Sequence, residues 1–170
     1  TSFCNMPEPW LRGPIERVHP AIAPALFAFQ QAREDLAAHT EGLDAGRMWA
    51  RPFGLAPVGF HLRHIAGSVD RLATYLAGGE LSEGQLAALG AEMAPGASRE
   101  ELLDAVGVAL DAAEVLLRRI DPARLGEERR VGRQKLPTTV IGLVVHLAEH
   151  TQRHVGQAIS AAKLARAAPR

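Results

Sequence analysis

The chain has 170 residues, nearly half of them apolar, with 19 basic and 19 acidic side chains and a formal net charge of zero. That length suits one domain, residues 1–170, with a real hydrophobic core; the balanced charge gives no support to nucleic-acid binding, which needs a net or clustered positive field. No apolar run approaches the ~20 residues of a membrane span, so no membrane partner is expected.

Ala and Leu dominate, both strong helix formers, and only eight residues are aromatic. An all-α protein is expected. The lone cysteine, Cys4, cannot close an intramolecular disulfide, and structural zinc sites usually use two or more thiolates; it reads as a tail thiol without a role. The opening TSFCNMPEPWLRGP lacks a basic end followed by an apolar stretch. No signal peptide is therefore expected, and cytoplasmic residence is the default.

Pro7, Pro9, Gly13 and Pro14 predict an irregular arm over residues 1–19, with Trp10 and Leu11 as apolar anchors. A first helix is predicted to start between Pro20 and Pro24, since proline is tolerated in a first turn, and to carry Ile22, Leu26, Phe29, Ala32, Arg33 and Leu36 near helical spacing. Thr40 to Ala56 is turn-rich. Pro57 opens a second helix whose apolar stripe is Leu62, Ile65, Val69, Leu72 and Leu76, stopped by Gly78-Gly79. A long crossover follows, with a short helix expected in SEGQLAALGAEM and a break at Pro95-Gly96. Ser98 with Glu101 forms a capping box and starts a third helix carrying Leu102, Leu103, Val106, Leu110, Ala113 and Leu117, ended by Asp121-Pro122. The connection from Pro122 to Pro137 holds the basic run Arg129, Arg130, Arg133 and Lys135. Thr138 or Thr139 then caps a fourth helix reaching about Leu164, and a frayed tail is expected over residues 165–170. Four long helices make a four-helix bundle the economical architecture.

The fourth helix carries a histidine ladder, His146, His150 and His154, in HLAEHTQRH. Histidines four apart lie on one helix face, where two imidazoles can share a divalent metal ion if a third ligand arrives from elsewhere. Seven histidines in 170 residues would give about 0.3 such pairs by chance; two occur, so the ladder points to metal. All three cannot bind one ion, because His146 and His154 stand ~12 Å apart along the axis, which bonds of ~2 Å cannot bridge. The helix offers either His146 with His150 or His150 with His154. HLAEH also matches the H-x-x-E-H pattern of inverted zinc peptidases, with Glu149 as general base. That reading needs an acidic ligand well downstream, and no Asp or Glu follows Glu149; an exposed ion pair of Glu149 with Arg153 is simpler. On the second helix His61 and His64 are the candidates for the third ligand. Both lie within one turn, and His64, beside Ile65, is favoured over His61 near the helix start. His19 and His39 fall in or near connections and read as solvated or capping.

With these residues in view, GFHLRHIAGSVDRL and LPTTVIGLVVHLAEHTQRHVGQ resemble the DinB-like superfamily of metal-binding four-helix bundles. The opening EPWLRGP and the VGRQKLPTT ahead of the last helix add to the resemblance, which runs from about Glu8 to Leu164. It implies metal ligands at His64, His150 and His154, with Gly156-Gln157 behind the pair, and an up-down-down-up helix order that the long crossover allows. It also implies a bound zinc or nickel ion, frequent homodimers, and activity on a small-molecule substrate, as in thiol-dependent S-transferases that use a low-molecular-weight thiol.

Three imidazoles would leave the metal open positions, as catalysis requires. The expected function is therefore metal-dependent activation of a thiol or of water, a transferase or a hydrolase, with a non-enzymatic metal-binding or stress-response module as the other class. His61, Ser68, Tyr75, His146 and Gln157 are candidates for the pocket around the metal. The basic run reads as a solvated loop more readily than as a grip on an anionic ligand, and Trp10 and Trp49 as bulk against the helices more readily than as a cover.

Overall fold

A computed structural model describes residues 6–168, and these are mostly helical. In chain order come α1 (Ala23–His39), α2 (Ala45–Trp49), α3 (Val58–Leu76), α4 (Glu83–Gly90), α5 (Arg99–Arg118), an antiparallel hairpin of β1 (Glu128–Val131) and β2 (Leu136–Thr139), and α6 (Val140–Ala167). The long helices share one core. α3 packs against both α5 and α6, and α1 packs against α6 and, over a smaller area, α5. Phe29, Leu62, Ile65, Val69, Leu110 and Leu147 are fully buried there. Each such side chain contributes roughly 1.5–3 kcal/mol of hydrophobic stabilisation.

Local chemistry sets the helix ends. Gly78 adopts φ +83° past the end of α3, a conformation that costs a glycine little. Its N–H donates to the Tyr75 carbonyl and that of Gly79 to Thr74, both at 2.9 Å, satisfying the terminal carbonyls. α5 opens on the expected capping box: the Glu101 N–H donates to Ser98 Oγ at 3.2 Å, and the Ser98 N–H to Glu101 Oε2 at 2.7 Å. Of the two threonines, Thr139 caps α6, accepting from the Gly142 N–H at 3.1 Å.

Four segments differ from the sequence reading. The turn-rich stretch after Thr40 holds a helical turn, α2, because Asp44 Oδ1 accepts from the Arg47 N–H at 2.8 Å and caps it. The Pro122–Pro137 connection contains a hairpin. Just ahead of β1, the Leu125 and Glu127 carbonyls accept the Ile141 and Val140 N–H groups of the first turn of α6, each at 2.9 Å. Trp10 and Leu11 do not anchor the arm: they are 60% and 55% exposed. Pro9 is the buried residue of that turn, and the arm is tied down by the Arg12 guanidinium on both oxygens of Glu34, at 2.5 and 2.8 Å. Finally, α6 continues past Leu164 to Ala167 because its last turns bury Ala161, Ala162 and Ala165, and Arg166 donates to the Glu41 carbonyl at 2.8 Å. Cys4 and the last two residues of the tail lie outside the described residues.

α4 is capped by a box of its own, Ser82 with Gln85, and is fastened to α3 where the Gln85 amide donates to Asp70 Oδ2 at 2.7 Å and Thr74 Oγ1 at 2.8 Å. It stops at Gly90, short of Met93, so the chain turns and directs Glu92 inward, where it is only 5% exposed. Among the described residues no helix is long and apolar enough to cross a membrane.

Candidate metal centre

Histidines from α3 and α6 meet where the two helices pack. The four-residue spacing sets His150 and His154 one above the other, with ring centroids 4.7 Å apart. His64 faces both, its ring centroid 4.3 Å from that of His154 and 5.1 Å from that of His150. Its Nε2 stands 3.0 Å from His150 Nε2. One nitrogen from each of the three lies within 4.8 Å of the others, and the group could hold a metal ion. Phe60 stacks on His64 with centroids 5.4 Å apart and ring planes 22° from parallel, limiting rotation of the imidazole.

The two histidines of α3 take different partners. His61 is buried and places its Nδ1 3.1 Å from His154 Nδ1. Two imidazole nitrogens at that distance form one hydrogen bond, so one carries the proton and the other accepts it. His146 reaches neither: its Nδ1 is bonded to Glu149 Oε1 at 2.7 Å, and its side chain is 44% exposed. Glu149 also pairs with Arg153 at 2.5 Å, the expected i,i+4 contact. The Ser68 hydroxyl donates back to the Ile65 carbonyl at 3.1 Å, within its own helix. Gln157 is exposed and lines a cavity of about 420 Å³ together with Leu55, His61, Arg153 and Ser160. Tyr75 packs against the core eleven residues beyond His64, ~16 Å along the axis of α3.

Neither the basic run nor the tryptophans are gathered here. Arg129 donates to the Leu76 carbonyl at 2.8 Å, Arg130 pairs with Glu128 at 2.8 Å, and Lys135 pairs with Glu80. Trp49 lies against α3, its N–H on the Ala97 carbonyl at 2.9 Å and the Arg63 guanidinium 4.8 Å from its ring centroid.

The electrostatics favour the neutral form of His61, His150 and His154. Burial first, and then the neighbouring His64, pushes His61 from 6.5 down to about 4. Burial, followed by His64, His150 and His61, brings His154 to about 4 as well. His150 is lowered for the same reasons, burial before His64. A neutral imidazole keeps the lone pair that a metal needs. Thus the donor set fits a divalent metal ion.

Sequence reasoning missed Glu92. Its Oε2 accepts from His64 Nδ1 at 2.7 Å, and Arg71 Nη2 lies 2.9 Å from its Oε1. Burial, the largest single influence, pushes its pKa up, but the contacts of His64 and Arg71 together hold it below the usual carboxylate value. A second-nitrogen bond to a carboxylate is the usual setting of a metal-binding imidazole. The available signal was weak: Glu92 is the only charged residue in the apolar and small-residue stretch 84–98.

A family model described as the DinB superfamily matches residues 28–158, from the first turns of α1 to beyond His154 on α6. Comparison with curated proteins finds no match. The superfamily is metal-binding, and the matched residues include the whole three-histidine group. The chain belongs to the DinB superfamily.

Proposed function

We propose that this chain is a metal-dependent enzyme in which His64, His150 and His154 hold one divalent ion, zinc or nickel, that activates a low-molecular-weight thiol for transfer to a small electrophile. The observation that carries this reading is the convergence of three imidazoles from two helices, with no carboxylate or thiol joining the group among the described residues. A three-nitrogen set leaves coordination positions for a substrate, whereas structural zinc sites are closed by a fourth protein ligand. When bound, the ion supplies Lewis acidity and lowers the pKa of the thiol or water that it holds.

The chain's own residues favour a thiol over water. The carboxylates close to the group are already engaged: Glu92 with His64 and Arg71, Glu149 with His146 and Arg153. Neither is free to take a proton from water. A thiol, with an ordinary pKa of about 8.5, needs far less help. His61, through His154, and Glu92, through His64, hold two of the three rings in place. The cavity beside His61 mixes apolar Leu55 with polar Gln157 and Ser160, a lining suited to a small molecule. The framework belongs to the same proposal: a single-domain four-helix bundle in up-down-down-up order. The neighbour relations support it, since α3 lies beside both α5 and α6, and the long Ala77–Ser98 crossover lets α3 and α5 run parallel.

The engaged carboxylates also suit a non-enzymatic metal-binding module. One assay separates the readings: turnover of a panel of electrophiles by untagged protein, with and without a small thiol, before and after chelation. Turnover that needs both thiol and metal, and that falls at least ~100-fold in His150→Ala, supports the transferase. Thiol-independent, metal-dependent turnover contradicts it in favour of a hydrolase. Bound metal with no turnover at all leaves the binding module.

A further inference from the structure

Glu92 is a costly residue to bury. A carboxylate taken out of water loses several kcal/mol of solvation unless it is well paired, and an apolar side chain would fill the same space without that loss. Three separate features accommodate it. Arg71, itself only 8% exposed, stands 2.9 Å from Oε1, though the contact is not aligned as a hydrogen bond. Gly67 leaves the room for both groups: a Cβ there would meet Arg71 Nη1 at 2.7 Å and Glu92 Oε1 at 2.8 Å. Arg63 donates to the Ala91 and Ala94 carbonyls, fastening the backbone on either side of Glu92 to α3. The charge is thus held on the crossover with its Oε2 on His64 Nδ1.

We propose that Glu92 is a positioning residue that fixes His64 as the Nδ1–H tautomer and so keeps the Nε2 lone pair facing His150. The consequence for metal rests on the reading of His64 as a ligand; the tautomer does not. An ionised carboxylate only accepts hydrogen bonds, so it selects a proton on Nδ1 and leaves Nε2 bare. Arg71, a cation with no acceptor, lies 2.9 Å from Oε1 and attracts the second oxygen by charge, which keeps the carboxylate oriented.

This arrangement makes a sharp distinction between two substitutions. Glu92→Gln is nearly isosteric but offers one oxygen and one NH2 group. Arg71 takes the oxygen, and the NH2 then faces His64 and donates to Nδ1. That selects the Nε2–H tautomer and blocks the nitrogen needed for metal. Glu92→Ala removes the selection without reversing it, leaving a mixture of tautomers. The near-isosteric change is therefore expected to harm metal binding more than the truncation does.

Long-range ¹H–¹⁵N correlation of the metal-free protein near pH ~8, where free imidazoles are neutral, reads the tautomer, and competition titration with zinc reads affinity. The expected results are Nδ1–H at His64 in the wild type, Nε2–H in Glu92→Gln, and zinc affinity lower by about tenfold or more in that variant, with Glu92→Ala in between. Nε2–H in the wild type, or an unchanged tautomer and affinity in Glu92→Gln, overturns the proposal. Should Glu92→Gln fail to fold, Glu92→Ala decides: a tautomer mixture supports the proposal and an unchanged Nδ1–H overturns it. A wild-type chain that takes up no zinc contradicts the metal reading alone, because the tautomer is measured without metal.

Discussion

His61 on α3 and His154 on α6 face each other through their Nδ1 atoms, 3.1 Å apart, with His61 buried and His154 half-buried. If His154 gives its other nitrogen to a metal, its Nδ1–H donates to His61, whose Nδ1 must then be bare. In that arrangement His61 would support a ligand without being one. His61→Ala is expected to weaken zinc binding by about tenfold while leaving a measurable site, whereas His154→Ala is expected to abolish it. Competition titration of the two variants checks the contrast; equal losses would place both rings on the metal.

The buried rings also make the metal-free protein acid-sensitive. His61 and His154 fall from 6.5 to about 4 on folding. In the unfolded chain they protonate near 6.5, so between those values the unfolded state binds more protons and stability declines as pH falls. The loss begins near pH 6.5 and is complete near pH 4. With the pair counted as one titrating unit, it reaches roughly 2 kcal/mol by pH 5. Urea melts of chelated protein at pH ~7.5 and ~5 measure it. An unchanged or higher midpoint at the lower pH would show that the rings are not held neutral by burial.

Gly59, two residues before His61, is buried against Trp49. A Cβ there would come within 2.7 Å of the indole ring, a rigid neighbour that is itself held by the Ala97 carbonyl and stacked by Arg63. Gly→Ala inside an ordinary helix gains about 1 kcal/mol. Here overpacking outweighs that gain, and Gly59→Ala is expected to destabilise by about 1–3 kcal/mol. Thermal or urea unfolding checks the sign, and a stabilised variant would mean that Trp49 moves freely.

Much of this was legible in the amino-acid order because its causes are local. Ser98 and Glu101 cap each other across three residues, Gly78 ends α3 by its own backbone freedom, and the four-residue period places His150 beside His154 whatever surrounds them. His64 could be chosen over His61 only modestly, since both lie within one turn and the distinction is which α6 histidine each one meets. The parts that escaped are tertiary. Nothing near Glu92 in sequence announces that α4 stops at Gly90 and that the crossover delivers a carboxylate to a histidine 28 residues earlier. Arg129 looked like part of a solvated loop, yet the Leu76 carbonyl at the end of α3 gives it a partner 53 residues away. Trp10 illustrates the converse: its bulk suggested an anchor, but Pro9 takes the buried position and leaves the indole exposed.

The metal content of untagged protein tests the central claim most directly. Wild type, His64→Ala, His150→Ala, His154→Ala and His146→Ala would be purified identically, equilibrated with zinc or nickel, freed of excess and analysed for metal per chain. About one ion per chain in the wild type and in His146→Ala, with loss in the other three, is the expected result. Equal metal in wild type, His64→Ala and His150→Ala would contradict it.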